Sequence, residues 1–333
     1  MEAVVARAAS SQPAAPVSSA LPEAAPKIGL KKFQERIDAA ALALRESDPQ
    51  FEKRSAEYLR GLAEFVSGNM LFVLLHELGR AAITQMALPI LGRMEDAADS
   101  FAAVRLIRVA DDFSQRVLTE AAKGWFLADR RDQKTGVKVA YYDQHGLNQQ
   151  RAYEIVCLMV GSDDEKFKGL AKEIKLPESR RDTCAGDYSN AVYSWDLVLE
   201  PHRRPPDQPK ADIDALYGPA EGRAAIAQHV ARDIRLLQTV AEHVANDFVW
   251  PTSLSLEMQS CGLPDARWDV AANKLTLCYE LAAEFADLYR DYGGAEANAR
   301  AVQSSKRKKV GPSAHKPTRK PQRGLHTPGS SGQ

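Results

Sequence analysis

The longest helical pattern in the chain, residues 52–87, constrains its fold most. Leu62, Phe65, Val66, Met70, Val73 and Leu74 recur at three- and four-residue steps, the spacing of one helical face. This predicts a helix over 52–87 with a break near 67-SGN-69. Proline disfavours helical backbone at the residue before it, so Pro89 ends the pattern. The longest clean apolar run inside it, 70-MLFVLL-75, is core-sized. A membrane span requires about 18 residues or more. Within the same pattern, 71-LFVLLHELGRAAI-83 places His76, Glu77 and Arg80 among apolar neighbours.

Further helices are expected at 31–47, at 94–109, at 113–128 and at 147–160. In the second of these the apolar positions include Ala98, Phe101, Ala102, Leu106 and Val109. Five prolines in 201–219 read as a long connection, and helix resumes at 222–248. Residues 253–259 and 274–278 then alternate like strands, and 261-CGLPDARWDVAANKLTLC-278 reads as a hairpin or small meander. Helix returns at 279–292. The expected class is α+β, mostly helical, with a small sheet or hairpin near the C-terminus. No internal repeat is visible.

A chain of 333 residues can bury one large core or two modest ones. Its net charge of zero hides an asymmetry, because residues 301–333 carry eight Lys or Arg and no acid. The Ala/Pro/Ser-rich stretch 1–27 reads as a disordered leader and 293–333 as a basic disordered tail. The first residues lack a cationic segment, so no signal peptide is clear in them. They read either as that leader or as the remnant of a signal. The tail cluster 306-KRKK-309 with Lys316, Arg319, Lys320 and Arg323 lacks interleaved aromatics and any groove-reading motif. A solvated tail is therefore favoured over nucleic-acid or anionic-lipid binding. Trp125, Trp195, Trp250 and Trp268 read as core or rim residues, and no phosphate loop or dinucleotide fingerprint is present. Of four cysteines, none forms a C-x-x-C pair. Their spacing suggests the local pairs Cys157 with Cys184 and Cys261 with Cys278, with four free thiols as the alternative.

The chemistry-bearing residues lie in the central helix and the one after it. In H-E-x-x-H, two histidines at i and i+4 grip a metal from one helix face and the glutamate serves as general base. His76 and Glu77 fit the first two positions, and Arg80 occupies the fourth. Glu95 and Asp99, also i and i+4, point the same way from the next helix. Glu95 could bind metal, and Asp99 could hold the far nitrogen of His76. On residues alone a second reading stands beside this one. A His-Glu pair at the end of an apolar run also arises by chance, and Glu95, Asp96 and Asp99 also read as a solvated face or an N-terminal charge bias.

Four stretches carry a resemblance: 68-GNMLFVLLHELG-79, 88-LPILGRMEDAADSFA-102, 141-YYDQHGLNQQRAYEIVCLMVGSDDEKF-167 and 256-LEMQSCGLPDARWDVAANKLTLCYELA-282. Together they resemble a bacterial family of zincin-like, gluzincin-type metallopeptidases of unknown physiological role, most closely its proteobacterial branch. The resemblance implies a zincin-like domain over 28–292, zinc as the cofactor, and peptide or protein as substrate or partner. It implies His76 and Glu95 as metal ligands, Glu77 as general base and Asp99 as the carboxylate behind His76. His145 sits in the matching Y-D-x-H segment, either steadying an oxyanion or making a structural hydrogen bond. The resemblance also favours two disulfides, Cys157–Cys184 and Cys261–Cys278, and so a periplasmic or secreted location. The departure is Arg80, where the family pattern has histidine. Guanidinium offers donors only and cannot ligate a cation. The expectation is therefore zinc weakly held or absent, with Arg80 bridging to Glu95 and Glu77, and impaired or lost hydrolysis. The alternative is a non-catalytic pseudopeptidase that binds a peptide or protein partner in the vestigial cleft.

Overall fold

The computed structural model describes residues 30–47 and 49–293. The leader expected over 1–27 and the tail expected beyond Gly293 lie outside the described residues. The chain runs through α1 (Leu30–Ser47), the short α2 (Pro49–Glu52), α3 (Ala56–Gln85), α4 (Met94–Val109), α5 (Asp112–Thr135), α6 (Asn148–Ser162), α7 (Asp164–Glu173) and α8 (Glu178–Leu199). Then follow β1 (Ile213–Tyr217), α9 (Arg223–Asp233), α10 (Leu236–Asp247), β2 (Leu254–Gln259), β3 (Ala266–Asp269), β4 (Lys274–Cys278) and α11 (Tyr279–Leu288). The fold is α+β, mostly helical, with a small mixed sheet near the C-terminus.

Helix α3 is the axle of the helical part. Its N-terminus is capped by Ser55, whose hydroxyl accepts from the Tyr58 N–H at 3.1 Å. By length and composition α3 could cross a membrane, but it is mostly buried, packed against α1, α4, α5 and α11. The break expected near 67-SGN-69 does not occur; the helix is continuous there. Those residues are weak helix formers, and tertiary packing overrides propensity. Gly68 lies where α5 crosses, so a Cβ there would sit 3.5 Å from the Val117 Cα. The Asn69 amide donates to the carbonyls of Phe65 (2.8 Å) and Glu120 (3.0 Å), which stitches α3 to α5.

The sheet has strand order β1-β2-β4-β3. β1 and β2 run parallel, β2 and β4 run parallel, and β3 returns antiparallel to β4 with Trp268 opposite Leu275. The expected strands and hairpin are therefore present. β1 was hidden from the sequence pattern: it lies inside the Pro-rich stretch 201–219, which reads as a connection. An edge strand tolerates such flanks because one side of its backbone needs no partner. The helix expected over 222–248 is two helices, separated at Arg235, which adopts φ 55°. The sequence pattern assigns nothing to 164–199, which form α7 and α8.

Two sets of contacts fasten these parts. Arg105 of α4 is buried against Asp247 and His243 of α10, an ion cluster that joins the first helices to those beside the sheet. The Trp268 indole of β3 donates to the Thr84 hydroxyl of α3 at 2.9 Å, so the sheet rests on the same helix that carries His76.

Both cysteine pairs are disulfides: Cys157–Cys184 ties α6 to α8, and Cys261–Cys278 ties the β2–β3 loop to the end of β4. The α6–α8 approach is close enough that a Cβ on Gly161 would lie 2.1 Å from the Cys184 carbonyl oxygen. Replacing Gly161 by alanine should force these helices apart and cost roughly 1–3 kcal/mol, by analogy with overpacked cores. Removing the Cys157–Cys184 bridge by a double alanine substitution should cost about 2–4 kcal/mol through the freed loop. Urea denaturation checks both, and midpoints equal to wild type would refute the packing described.

Candidate metal centre

The site forms because α3 and α4 cross at small residues. A Cβ on Gly79 would lie 3.2 Å from the Ala98 Cα and 3.2 Å from the Phe101 Cβ. Glycine here lets one backbone approach the other. Ala98 and Ala102 are fully buried on the facing side. The crossing sets His76 and Glu77 against Glu95 and Asp99, and all four are buried. Glu95 stands in the first turn of α4, where the helix dipole favours a carboxylate.

Each nitrogen of His76 meets a carboxylate: Nδ1 lies 2.7 Å from Asp99 Oδ1 and Nε2 lies 3.0 Å from Glu95 Oε2. Asp99 is itself clamped by Arg151 of α6, whose Nε and a terminal nitrogen donate at 2.7 and 2.8 Å. That guanidinium lies over the Trp125 ring, 3.6 Å from its centroid. Planar stacking together with a bidentate grip is a use of arginine that lysine cannot reproduce.

His145 arrives from the loop between α5 and α6. Its Nε2 lies 3.2 Å from the same Glu95 oxygen that meets His76. Its Nδ1 lies 2.9 Å from Asp143 Oδ1, and its backbone N–H donates to that oxygen at 2.8 Å. Arg93, at the head of α4, donates to the His145 carbonyl at 3.2 Å and to Asp96 at 2.8 Å. The two imidazoles lie 6.3 Å apart, inclined by 26°.

Arg80 takes the other sides of the carboxylates. One terminal nitrogen donates to Glu77 Oε2 at 3.2 Å, and its Nε lies 3.4 Å from Glu95 Oε1. The second contact is an ion pair without hydrogen-bond geometry, and the buried Nε–H has no hydrogen-bond partner. Glu77 also accepts the backbone N–H of Trp268 on β3, and its Oε1 lies 3.9 Å from His76 Nε2.

Burial and partners pull the titrations in opposite directions. Burial disfavours a charged His76, but its bonds to Asp99 and Glu95 outweigh that and raise its pKa to about 9. Burial likewise opposes ionisation of Asp99, yet Arg151 and His76 lower its pKa to about 2. For Glu95, burial is outweighed by His145, His76 and Arg80, which hold the carboxyl well below its ordinary range. Glu77 goes the other way: burial raises it, only partly offset by His76 and Arg80.

The fold thus brings His76, Glu77, Arg80, Glu95, Asp99 and His145 into one cluster. The four cysteines serve the scaffold instead. Sequence reasoning missed Arg151, Trp125, Gly79, Asp143 and Trp268. Asp143 had a visible signal, since Asp-x-His lets a carboxylate reach back to the histidine two residues on. Arg151 and Trp268 had none, because their roles depend on distant segments. A depression of about 650 Å³ opens behind Asp99, lined by Arg93, Asp96, Gln150, Arg151, Glu154 and Arg180 among others. It reaches the support of His76 rather than Glu77. His76, Glu95 and His145 each offer one ligand atom, and these atoms all lie within 4.8 Å of one another. Two imidazoles and a carboxylate are donors that suit zinc in hydrolytic centres, so the residues fit a metal of that kind.

Compared with known families, the chain matches the sequence model of a family described as "Putative metallopeptidase" over residues 33–199, half of its length. No curated protein and no solved structure matches it.

Removing one partner from a buried pair leaves a charge uncompensated and commonly costs about 3–5 kcal/mol. Arg151→Ala should fall near the lower end of that range, because Asp99 keeps His76 as a partner. Chemical denaturation measures this, and a loss below about 1 kcal/mol would refute the clamp as a stabilising element.

Proposed function

The chain belongs to this metallopeptidase family, and from that premise we propose that it carries a zinc-type site for peptide-bond hydrolysis whose activity is attenuated. We read 76-HELGR-80 as an H-E-x-x-H helix in which Arg80 stands where the family pattern described above has histidine. His76 and Glu95 would hold the metal. When bound, that metal supplies Lewis-acid polarisation of a carbonyl and a water activated near neutral pH.

The remaining roles belong to the chain's own groups. Glu77 is the base that takes a proton from the attacking water and returns it to the leaving amine. Asp99, gripped by Arg151, keeps His76 in one orientation. The Trp268 backbone favours the charged Glu77 carboxylate from the sheet side. The single observation behind attenuation is the ion pair between Arg80 and Glu77, 3.2 Å long with Glu77 buried. A carboxylate that already shares its lone pairs with a guanidinium must give up that contact to accept a proton. The same pair supports a second reading, a non-catalytic cleft that binds peptide, because it balances the buried carboxylate with no metal present.

We take residues 28–292 as one functional unit, since β3, outside the matched range, contacts Glu77 within it. The two disulfides support an oxidising, exported setting.

Hydrolysis of a fluorescent casein in the presence of zinc tests this. Wild-type activity should be low, Glu77→Gln should remove it, and Arg80→His should raise it by about 10²-fold, within the range ascribed to a positioned base. A wild type as active as Arg80→His would overturn attenuation. Peptide binding without hydrolysis in both would favour the second reading.

A further inference from the structure

We infer that His145 is a metal ligand of this chain, completing with His76 and Glu95 a three-donor site that does not need residue 80. The inference rests on the reading above only in expecting a divalent cation at His76 and Glu95. It differs from the role that the resemblance implies for His145, which is to steady an oxyanion or to make a structural hydrogen bond.

Distances carry the first part of the argument. Tetrahedral zinc with bonds of about 2.0–2.1 Å places its donors about 3.3 Å apart. The Glu95 Oε2 lies 3.0 Å from His76 Nε2 and 3.2 Å from His145 Nε2. These two edges need only small outward movements, and the imidazole nitrogens, within 4.8 Å of each other, complete the triangle by settling at the same spacing.

Orientation carries the second part. A ligating histidine usually gives its other ring N–H to a carboxylate, which fixes the tautomer and aims the free lone pair. Both histidines have that partner here: Asp99 behind His76 at 2.7 Å, and Asp143 behind His145 at 2.9 Å. Both Nε2 atoms therefore turn to the same oxygen. A loop histidine with only a structural bond would need Asp143 alone; this one also has its backbone fixed by Arg93 of α4, the helix that bears Glu95.

Arg80 does not compete for that point. It engages Glu77 and the Oε1 of Glu95, whereas the imidazoles share Oε2. Glu95 thus serves a guanidinium on one oxygen and offers the other to a cation. Three protein donors leave a fourth position, as hydrolytic zinc requires. The cation class is a borderline divalent ion such as Zn²⁺ or Co²⁺, which imidazole and carboxylate donors suit.

The test is metal binding by the full chain, stripped with a chelator, then titrated with Zn²⁺ by calorimetry and with Co²⁺ by visible absorption. Circular dichroism confirms that each variant is folded. Wild type should bind one ion and show Co²⁺ bands of low-symmetry, four- or five-coordinate character. Loss of an outer-shell partner alone costs about 10–100-fold in affinity, so His145→Ala should lose at least about 100-fold. Asp143→Asn should lose about 10-fold or more. If His145→Ala binds as tightly as wild type while His76→Ala does not, the inference is wrong and the proposed function stands. If wild type binds nothing and Arg80→His binds one ion, the inference again fails, and the family site survives as a vacated one. If neither binds, both readings fall.

Discussion

Buried charge must be paired, and that constraint organises this molecule. The crossing of α3 and α4 at Gly79 draws His76, Glu77, Glu95 and Asp99 out of water together. Three carboxylates cannot remain ionised in so small a volume without cations close by. For Asp99 and Glu95 the chain meets the demand with His76 between them, Arg151 behind Asp99, and His145 and Arg80 beside Glu95, while His76 and Arg80 compensate Glu77 only in part. Each of these comes from a different position along the chain, so the site also acts as a set of ties between α3, α4, α6 and the loop before α6.

The scaffold explains why the ties hold their geometry. Arg151 is fixed by Trp125 on α5 as well as by Asp99. α6 is pinned to α8 by a disulfide at a contact too close for any residue but glycine at position 161. On the opposite flank, β3 supplies a backbone N–H to Glu77 and an indole N–H to Thr84. The small sheet therefore belongs to the site's support, although it lies outside the matched range of the family.

Much of the helical part was legible in the sequence because its cause is local. The apolar spacing of 52–87, the Pro89 stop and the spacing of 94–109 correspond to α3 and α4. The alternation in 253–259 and 274–278 corresponds to β2 and β4. What escaped was decided at a distance. β1 is a strand because β2 offers it an edge, not because 201–219 announces one. α3 passes unbroken through Ser67, Gly68 and Asn69 because α5 packs on the glycine and receives the asparagine's bond.

The same division runs through the site. The sequence by itself determined the inventory: a His-Glu pair on an apolar helix, two carboxylates one turn apart on the next, and an arginine, incapable of ligation, one turn after the histidine. Those follow from residue chemistry and helical periodicity, which act within a few residues. Only the tertiary structure decided that one oxygen of Glu95 faces two imidazoles while the other faces Arg80. That partition depends on where a loop 50 residues downstream of Glu95 comes to rest, and the position of such a loop is set by packing between helices rather than by any local preference of its own residues.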